Sequence, residues 1–417
     1  MMRGASSGRL AAVFLIFLVL AASGVLVSLM LGSVAIAPQE AAAILMGADG
    51  GTHGQILWNI RLPRTLVAAL VGIDLALSGA ILQAIMKNPL ADPHIIGISS
   101  GAGLMGILVL LLFPEHSALI TPAAFVGAMG AAVLIYLLAW KNGIQPIRII
   151  LAGVAVSAFL GAGISALMIL YSDRVHNALM WMVGGLSARS WPHVAMLWPY
   201  TLVGFALAVL AARHLNVLQL GDAMAKSLGM RVELTRLLLT AVAAILAASA
   251  VSVVGLLGFV GLIVPHMARL LVGSDHRILL PASALLGAAV LLYSDTFARV
   301  AFAPVELPVG IIMAALGAPF FLFLLRRQLR RYYRQSIYRM RPAACLSSRM
   351  SRSMSRAASG WPSSGRTGRA SRRSCACWQG LRGRAAARCS SRDAIYAASA
   401  VRRSRAGSPC CRRASRP

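Results

Sequence analysis

The first 340 of the 417 residues contain no cysteine; all six (Cys345, Cys375, Cys377, Cys389, Cys410 and Cys411) come later. That absence excludes a disulfide scaffold, a thiolate metal site and a cysteine nucleophile from most of the chain. Charge is also scarce, at 12% of residues, where soluble domains carry about a quarter. The frame as translated has no Gly-rich nucleotide loop followed by Lys-Ser/Thr, and no HExxH or paired CxxC precedes the last cysteines. Readings as an ATPase, a metalloprotease or a zinc module therefore lack their chemistry. His266, beside Pro265, stands alone and reads as structural.

What is present is apolar: 58% of residues are hydrophobic and the mean hydropathy is +0.75. Such a chain would expose large apolar patches in water, so a bilayer is its natural solvent. A span needs about 20 apolar residues. Ten stretches qualify: 11–32, 65–86, 95–113, 119–139, 148–171, 194–213, 236–255, 256–272, 278–297 and 307–325. The eighth is interrupted by Pro265 and His266. The first is read as a span rather than a signal peptide, because further spans follow it and no clear small-residue cleavage site does. The expected fold is all-α, a polytopic membrane domain over residues 1–331.

An even number of spans puts both ends of this domain on one side. Arg3 and Arg9 precede the first span, and Arg326, Arg327, Arg330 and Arg331 follow the last. The positive-inside rule makes that side cytoplasmic. The basic 213–236 loop then falls inside and the 33–60 loop outside. Small residues crowd the spans, among them Gly72, Ser78 and Gly79, then Gly97 through Gly103. They let helix backbones approach closely in lipid. Asp74 lies mid-span, where an acid is either functional or a protonated group bonded to a neighbouring helix; the sequence assigns it no role.

Four motifs stand out. Arg61-Leu62-Pro63-Arg64 starts the second span at its outer end, against the positive-inside bias. Either the arginines reach lipid phosphates or they dock an acidic partner from outside, with Arg299 on the same face. Lys87-Asn88-Pro89-Leu90-Ala91-Asp92-Pro93 forms a rigid inner turn before the Gly/Ser-rich start of the third span. The loop Leu220-Gly221-Asp222-Ala223-Met224-Ala225-Lys226-Ser227-Leu228-Gly229-Met230 reads as a short helix ended by a left-handed glycine, Gly229. It is either a connection or a handle for another subunit. The fourth motif runs from Gly258-Phe259-Val260-Gly261 through Pro265-His266 and Ser274-Asp275-His276-Arg277 to Glu306-Leu307-Pro308-Val309-Gly310 and Gly317-Ala318-Pro319-Phe320.

Together, in this order, these motifs resemble the iron-siderophore, haem and vitamin B12 permease family of ABC importers over roughly residues 10–327. The resemblance implies a ten-helix transport subunit in the bacterial plasma membrane and no enzyme. It implies pairing with a second copy or a close paralogue, two cytoplasmic ATPases that bind the Mg-ATP, and an extracytoplasmic substrate-binding protein. It implies no cofactor, metal or nucleic acid for this chain. By matched position, Arg61, Arg64 and Arg299 look like docking residues for the binding protein. Gly221, Asp222, Ala225, Leu228 and Gly229 look like the ATPase coupling loop, and Asn88, Pro89 and Leu90 like the inner gate. The competing reading is a secondary transporter or channel, which would show coordinated polar groups in broken, inverted-repeat helices; no such repeat is visible.

Much of the net charge of +28 sits in one place. Residues 341–417 hold 18 Arg, no Lys and one acid, Asp393. Residues 332–417 read as a disordered basic tail. A membrane-anchored nucleic-acid binder would rest on this tail alone. A second reading fits better: translation of GC-rich DNA out of frame. Joining the last base of each codon to the first two of the next lets residues 349–381 encode a segment containing Ile-Ile-Gly-Pro-Asn-Gly-Ser-Gly-Lys-Ser-Thr-Leu-Leu. That is a phosphate-binding Walker loop, which resembles an ABC ATPase. Trp361 and Trp378, with one codon each, allow only Ala where the shifted segment reads Ala.

Overall fold

The computed structural model describes residues 7–32, 34–140, 146–303 and 305–326. The tail, expected to be disordered, lies outside the described residues. Ten apolar helices appear where ten spans were expected. They are α1 (Ser7–Met30), α2 (Leu62–Ile85), α3 (Ile98–Leu112), α4 (Ile120–Ala139), α5 (Pro146–Leu170), α6 (Trp191–Leu210), α7 (Val232–Val254), α8 (Val260–Val272), α9 (His276–Val300) and α10 (Val309–Arg326). Eight are long and apolar enough to cross a membrane; α3 and α8 are shorter. No strand occurs among the described residues.

Local chemistry sets the boundaries. Proline opens α5 and sits in the first turn of α6, where its missing N–H is no loss; α2 instead continues without a break from a helical run that begins at Gly51 and contains a π-turn over Leu57–Arg61, so Pro63 lies inside a longer helix than the sequence suggests. The Asp275 side chain caps α9 by accepting from Arg277 N at 3.0 Å. Gly255 at φ +82 and Gly273 at φ +93 stop α7 and α8, in conformations that L-residues resist.

Helix α2 is the axis of the bundle, packing against α6, α7, α8 and α9. In its most apolar stretch 78% of residues are buried, against 11% for α1 and 22% for each of α5, α6 and α10. The outer helices thus present apolar faces to lipid or to another subunit. The tightest crossings use glycine. A methyl at Gly79 would strike the backbone of Gly261, and one at Gly72 the carbonyl of Gly287. These small residues serve packing, and Ser78 adds a hydrogen bond to the Ala243 carbonyl at 2.6 Å.

Proline inside a helix normally leaves the carbonyl four residues earlier without a partner. For Pro265 that carbonyl belongs to Gly261, and Gln83 of α2 donates to it at 3.1 Å. The proline thus breaks no span here, because a neighbouring helix supplies the missing donor.

Candidate functional site: two polar clusters at opposite ends of helix α2

At the start of α2, Arg61, Arg64 and Arg299 do come together, but they turn inward; they are 4%, 6% and 6% exposed. Arg64 makes a forked pair with Asp295 of α9, with Nη2 to Oδ1 at 3.0 Å and Nε to Oδ2 at 3.1 Å. Its Nη1 donates to Glu306 at 2.9 Å. Arg299 pairs with Asp295, one helical turn before it, at 3.2 Å and donates to Ser28 Oγ at 2.9 Å. Arg61 donates to the carbonyls of Leu29 at 2.7 Å, Met30 at 2.9 Å and Val34. It thereby serves the last turn of α1, whose orphan carbonyls and dipole favour a cation.

The sequence suggested an open docking face for these arginines. The structure corrects the orientation: buried guanidiniums need partners, and the end of α1 and the carboxyl of Asp295 supply them from inside. Only Glu306, with 41% of its side chain exposed, forms a half-open edge of the cluster. Burial opposes its ionisation, but hydrogen bonding and attraction from Arg64 hold it below the usual carboxylate range. Nearby Arg189 is drawn down to about 10 by burial and by Arg64, which still leaves it charged at neutral pH. Arg64 and Arg299 thus take up the two carboxylates, while Arg61 is held by backbone carbonyls and Arg189 reaches His193.

At the other end of α2 lies the loop helix Asp222–Ser227. Gly229 follows it at φ +80. Its N–H reaches the Lys226 carbonyl at 3.0 Å, and Met230 N reaches that of Ala225 at 3.1 Å. These are the two bonds of a Schellman stop. Gly221 precedes the helix at φ +108. Ala225 is fully buried and anchors the helix to the bundle. Met224 on this helix is 54% exposed, and Leu220 and Leu228, which flank it, are 63% and 61% exposed. Asp222 accepts Lys87 Nζ at 2.7 Å and Arg236 Nη2 at 3.0 Å. Burial works against its ionisation, but Lys87 and Arg236 outweigh that and hold it below the usual value.

The turn carrying Asn88, Pro89 and Leu90 adjoins this helix. Asn88 Oδ1 accepts from Leu90 N at 3.0 Å, and Asp92 caps the next short helix through His94 N at 2.8 Å. Asp74 lies fully buried midway along α2, bonded to Ser249 of α7 at 3.2 Å. No cation pairs with it among the described residues, which fits a group bonded across helices. His266 packs edge-on against Phe320, with ring centroids 5.7 Å apart.

This architecture has known counterparts. Residues 15–327 match the FecCD transport family. The chain belongs to that family. It is 41% identical over 306 residues to the Fe(3+)-citrate import system permease protein YfmE of Bacillus subtilis strain 168, covering 73% of this chain and 92% of that relative. It is 47% identical over 273 residues to the cobalamin import system permease protein BtuC of Halobacterium salinarum, covering 65% and 73%. To the hemin transport system permease protein HmuU of Yersinia pestis it is 40% identical over 280 residues, covering 65% and 84%. A solved inward-facing metal-chelate type ABC transporter chain superposes with a TM-score of 0.69 at 30% identity, over 76% of this chain and 99% of that one. The FecCD chain described here is therefore a multi-pass membrane protein and a transport permease subunit, not an enzyme.

Four residues at the heart of the two clusters were not singled out from sequence. Gln83 gives no signal beyond being polar in an apolar helix, and Arg236 counts in sequence only as one of the basic residues of the 213–236 loop. Asp295 and Glu306 do give one: Asp295 precedes Arg299 by four, the spacing of a helical ion pair, and Glu306 belongs to the fourth motif.

Proposed function

We propose that this chain moves an iron(III)-siderophore into the cytoplasm by alternating access, with haem and cobalamin as the next candidates. It pairs with a second copy or close paralogue around the cargo path. Two ATPases bind and hydrolyse Mg-ATP at the loop end of α2, and a substrate-binding protein docks at the arginine end. Both ends of the core are then cytoplasmic. Docking through Arg64 requires an acidic group of the partner to displace Glu306, the one half-open edge of the cluster.

One observation carries the ATPase reading: Met224 on the loop helix and Leu220 and Leu228 flanking it are all exposed. Three large apolar side chains left exposed on and beside a short loop helix are a binding surface rather than a connector. Gly221, Ala225 and Gly229 hold that helix in shape and place. The Walker segment that residues 349–381 permit in the shifted frame supports the same reading, because it would place an ATPase gene next door. Co-purification tests the reading. Leu220→Glu with Leu228→Glu should leave the permease in the membrane but strip it of its ATPase; undiminished co-purification would overturn this.

A further inference from the structure

Asp222 stands where the loop helix meets the inner turn. Arg236 of α7 grips its carboxylate at 3.0 and 3.2 Å and is itself only 1% exposed. Arg236 therefore fixes where the carboxylate stands, and Lys87 reaches the same carboxylate from the turn after α2 at 2.7 Å. Lys87 lies two residues past the end of α2 with its backbone at φ +50, a conformation uncommon for a residue with a side chain.

Four residues before Lys87, in the last turn of α2, Gln83 bonds the carbonyls of Gly261 and Leu262 at 3.1 and 3.4 Å and accepts from Arg269 at 3.0 Å. All three belong to α8. That helix begins after Phe259, also left-handed at φ +69, whose ring presses on Gly317 of α10. The last turn of α2 and the turn that follows it thus hold α8, with α10 behind it, through Gln83, and the loop helix through Lys87.

We propose that the Lys87–Asp222 pair is the positioning link that carries movement of the loop helix to α8 and α10. The inference rests on the ATP-driven reading above. Two features favour a transmitting role over a merely stabilising one. The pair is half-exposed, at 36% and 45% of the side chains, and exposed pairs contribute little to stability. Arg236 also keeps Asp222 in place if Lys87 is lost, so the loop stays folded while the link is cut.

The test uses the full permease with its ATPase, the six cysteines replaced by serine, and Leu325→Cys at the Arg326 end of α10 as a reporter. Leu325 is 37% exposed and stands at the end of the span, where water reaches it. Maleimide labelling is followed with and without ATP plus vanadate, alongside ATP hydrolysis. Wild-type labelling should change several-fold on nucleotide. Lys87→Met should abolish that change while ATP hydrolysis and co-purification persist, and Lys87→Arg should restore it. Lys87→Met combined with Asp222→Asn should be no worse than Lys87→Met alone. A full nucleotide response in Lys87→Met, or additive losses in the double variant, would overturn the link. A wild type without any response would overturn the ATP-driven reading instead.

Discussion

Replacing Gln83 by leucine keeps its bulk and removes every polar contact it makes. The Gly261 carbonyl, already without its helical partner because of Pro265, then loses its substitute donor. Arg269 loses an acceptor at 3.0 Å. Hydrogen bonds between membrane helices average about 0.6 kcal/mol, with a ceiling of about 1.7 kcal/mol. A buried group left unsatisfied costs more, about 1–3 kcal/mol. Two orphaned groups, one of them charged, place Gln83→Leu at a loss of about 2–4 kcal/mol. The reasoning is sharpened by a second variant. Pro265→Ala gives position 265 an N–H for Gly261 and should recover about half of that loss in the Gln83→Leu background, the Arg269 half remaining. Denaturant unfolding of the purified chain measures all four members of the cycle. A Gln83→Leu loss below about 1 kcal/mol, or no recovery with Pro265→Ala, would refute the account of how α8 tolerates its proline.

Four further expectations follow from the two clusters and the tail. Arg61→Glu with Arg64→Glu should sharply reduce the yield of monodisperse folded protein, because it sets carboxylates against buried Asp295 and the α1 carbonyls; docking is better read from Glu306→Gln, which should strengthen binding-protein affinity several-fold. Gly229→Val should uncouple ATP hydrolysis from uptake, since a β-branched residue resists φ +80; normal stimulated hydrolysis with normal uptake would count against it. Asp222 has a lowered folded pKa, so its pairing should be complete above the unfolded value of 3.8 and lost only as pH falls through the lower folded value; hydrogen exchange in the loop helix should therefore show no transition between neutral pH and 3.8, and one near pH 6 would contradict the pairing. DNA covering codons 325–400 should read Gly-Lys-Ser-Thr across codons 369–373 in the shifted frame; stop codons there would return the tail to the basic-arm reading.

The ten helices were legible because apolar runs near 20 residues have few alternatives. Even α8, 13 residues long, showed as a run, although its tolerance of Pro265 did not, since the rescuing amide lies 182 positions away in sequence. The stop at Gly229 was legible because left-handed glycine is a local property. The direction of Arg61 and Arg64 was not. A helix start with two arginines says nothing of the α1 carbonyls or of Asp295, 231 residues from Arg64. Lys87 and Asp222 sat in two recognised motifs, but their pairing across 135 residues is a tertiary fact. The inward-turned arginines are the clearest case of local chemistry being read well and its partners being invisible.

The central claim is that this permease imports an iron chelate at the expense of ATP hydrolysed by a separate subunit. Proteoliposomes containing the full chain, its ATPase and its binding protein test this directly. They are loaded inside or outside with Mg-ATP and supplied in parallel with labelled ferric siderophore, haem and cobalamin. The account predicts uptake of one of these that starts only when ATP reaches the ATPase side and stops when the ATPase is omitted. Uptake that persists without the ATPase, driven by an ion gradient instead, would contradict it.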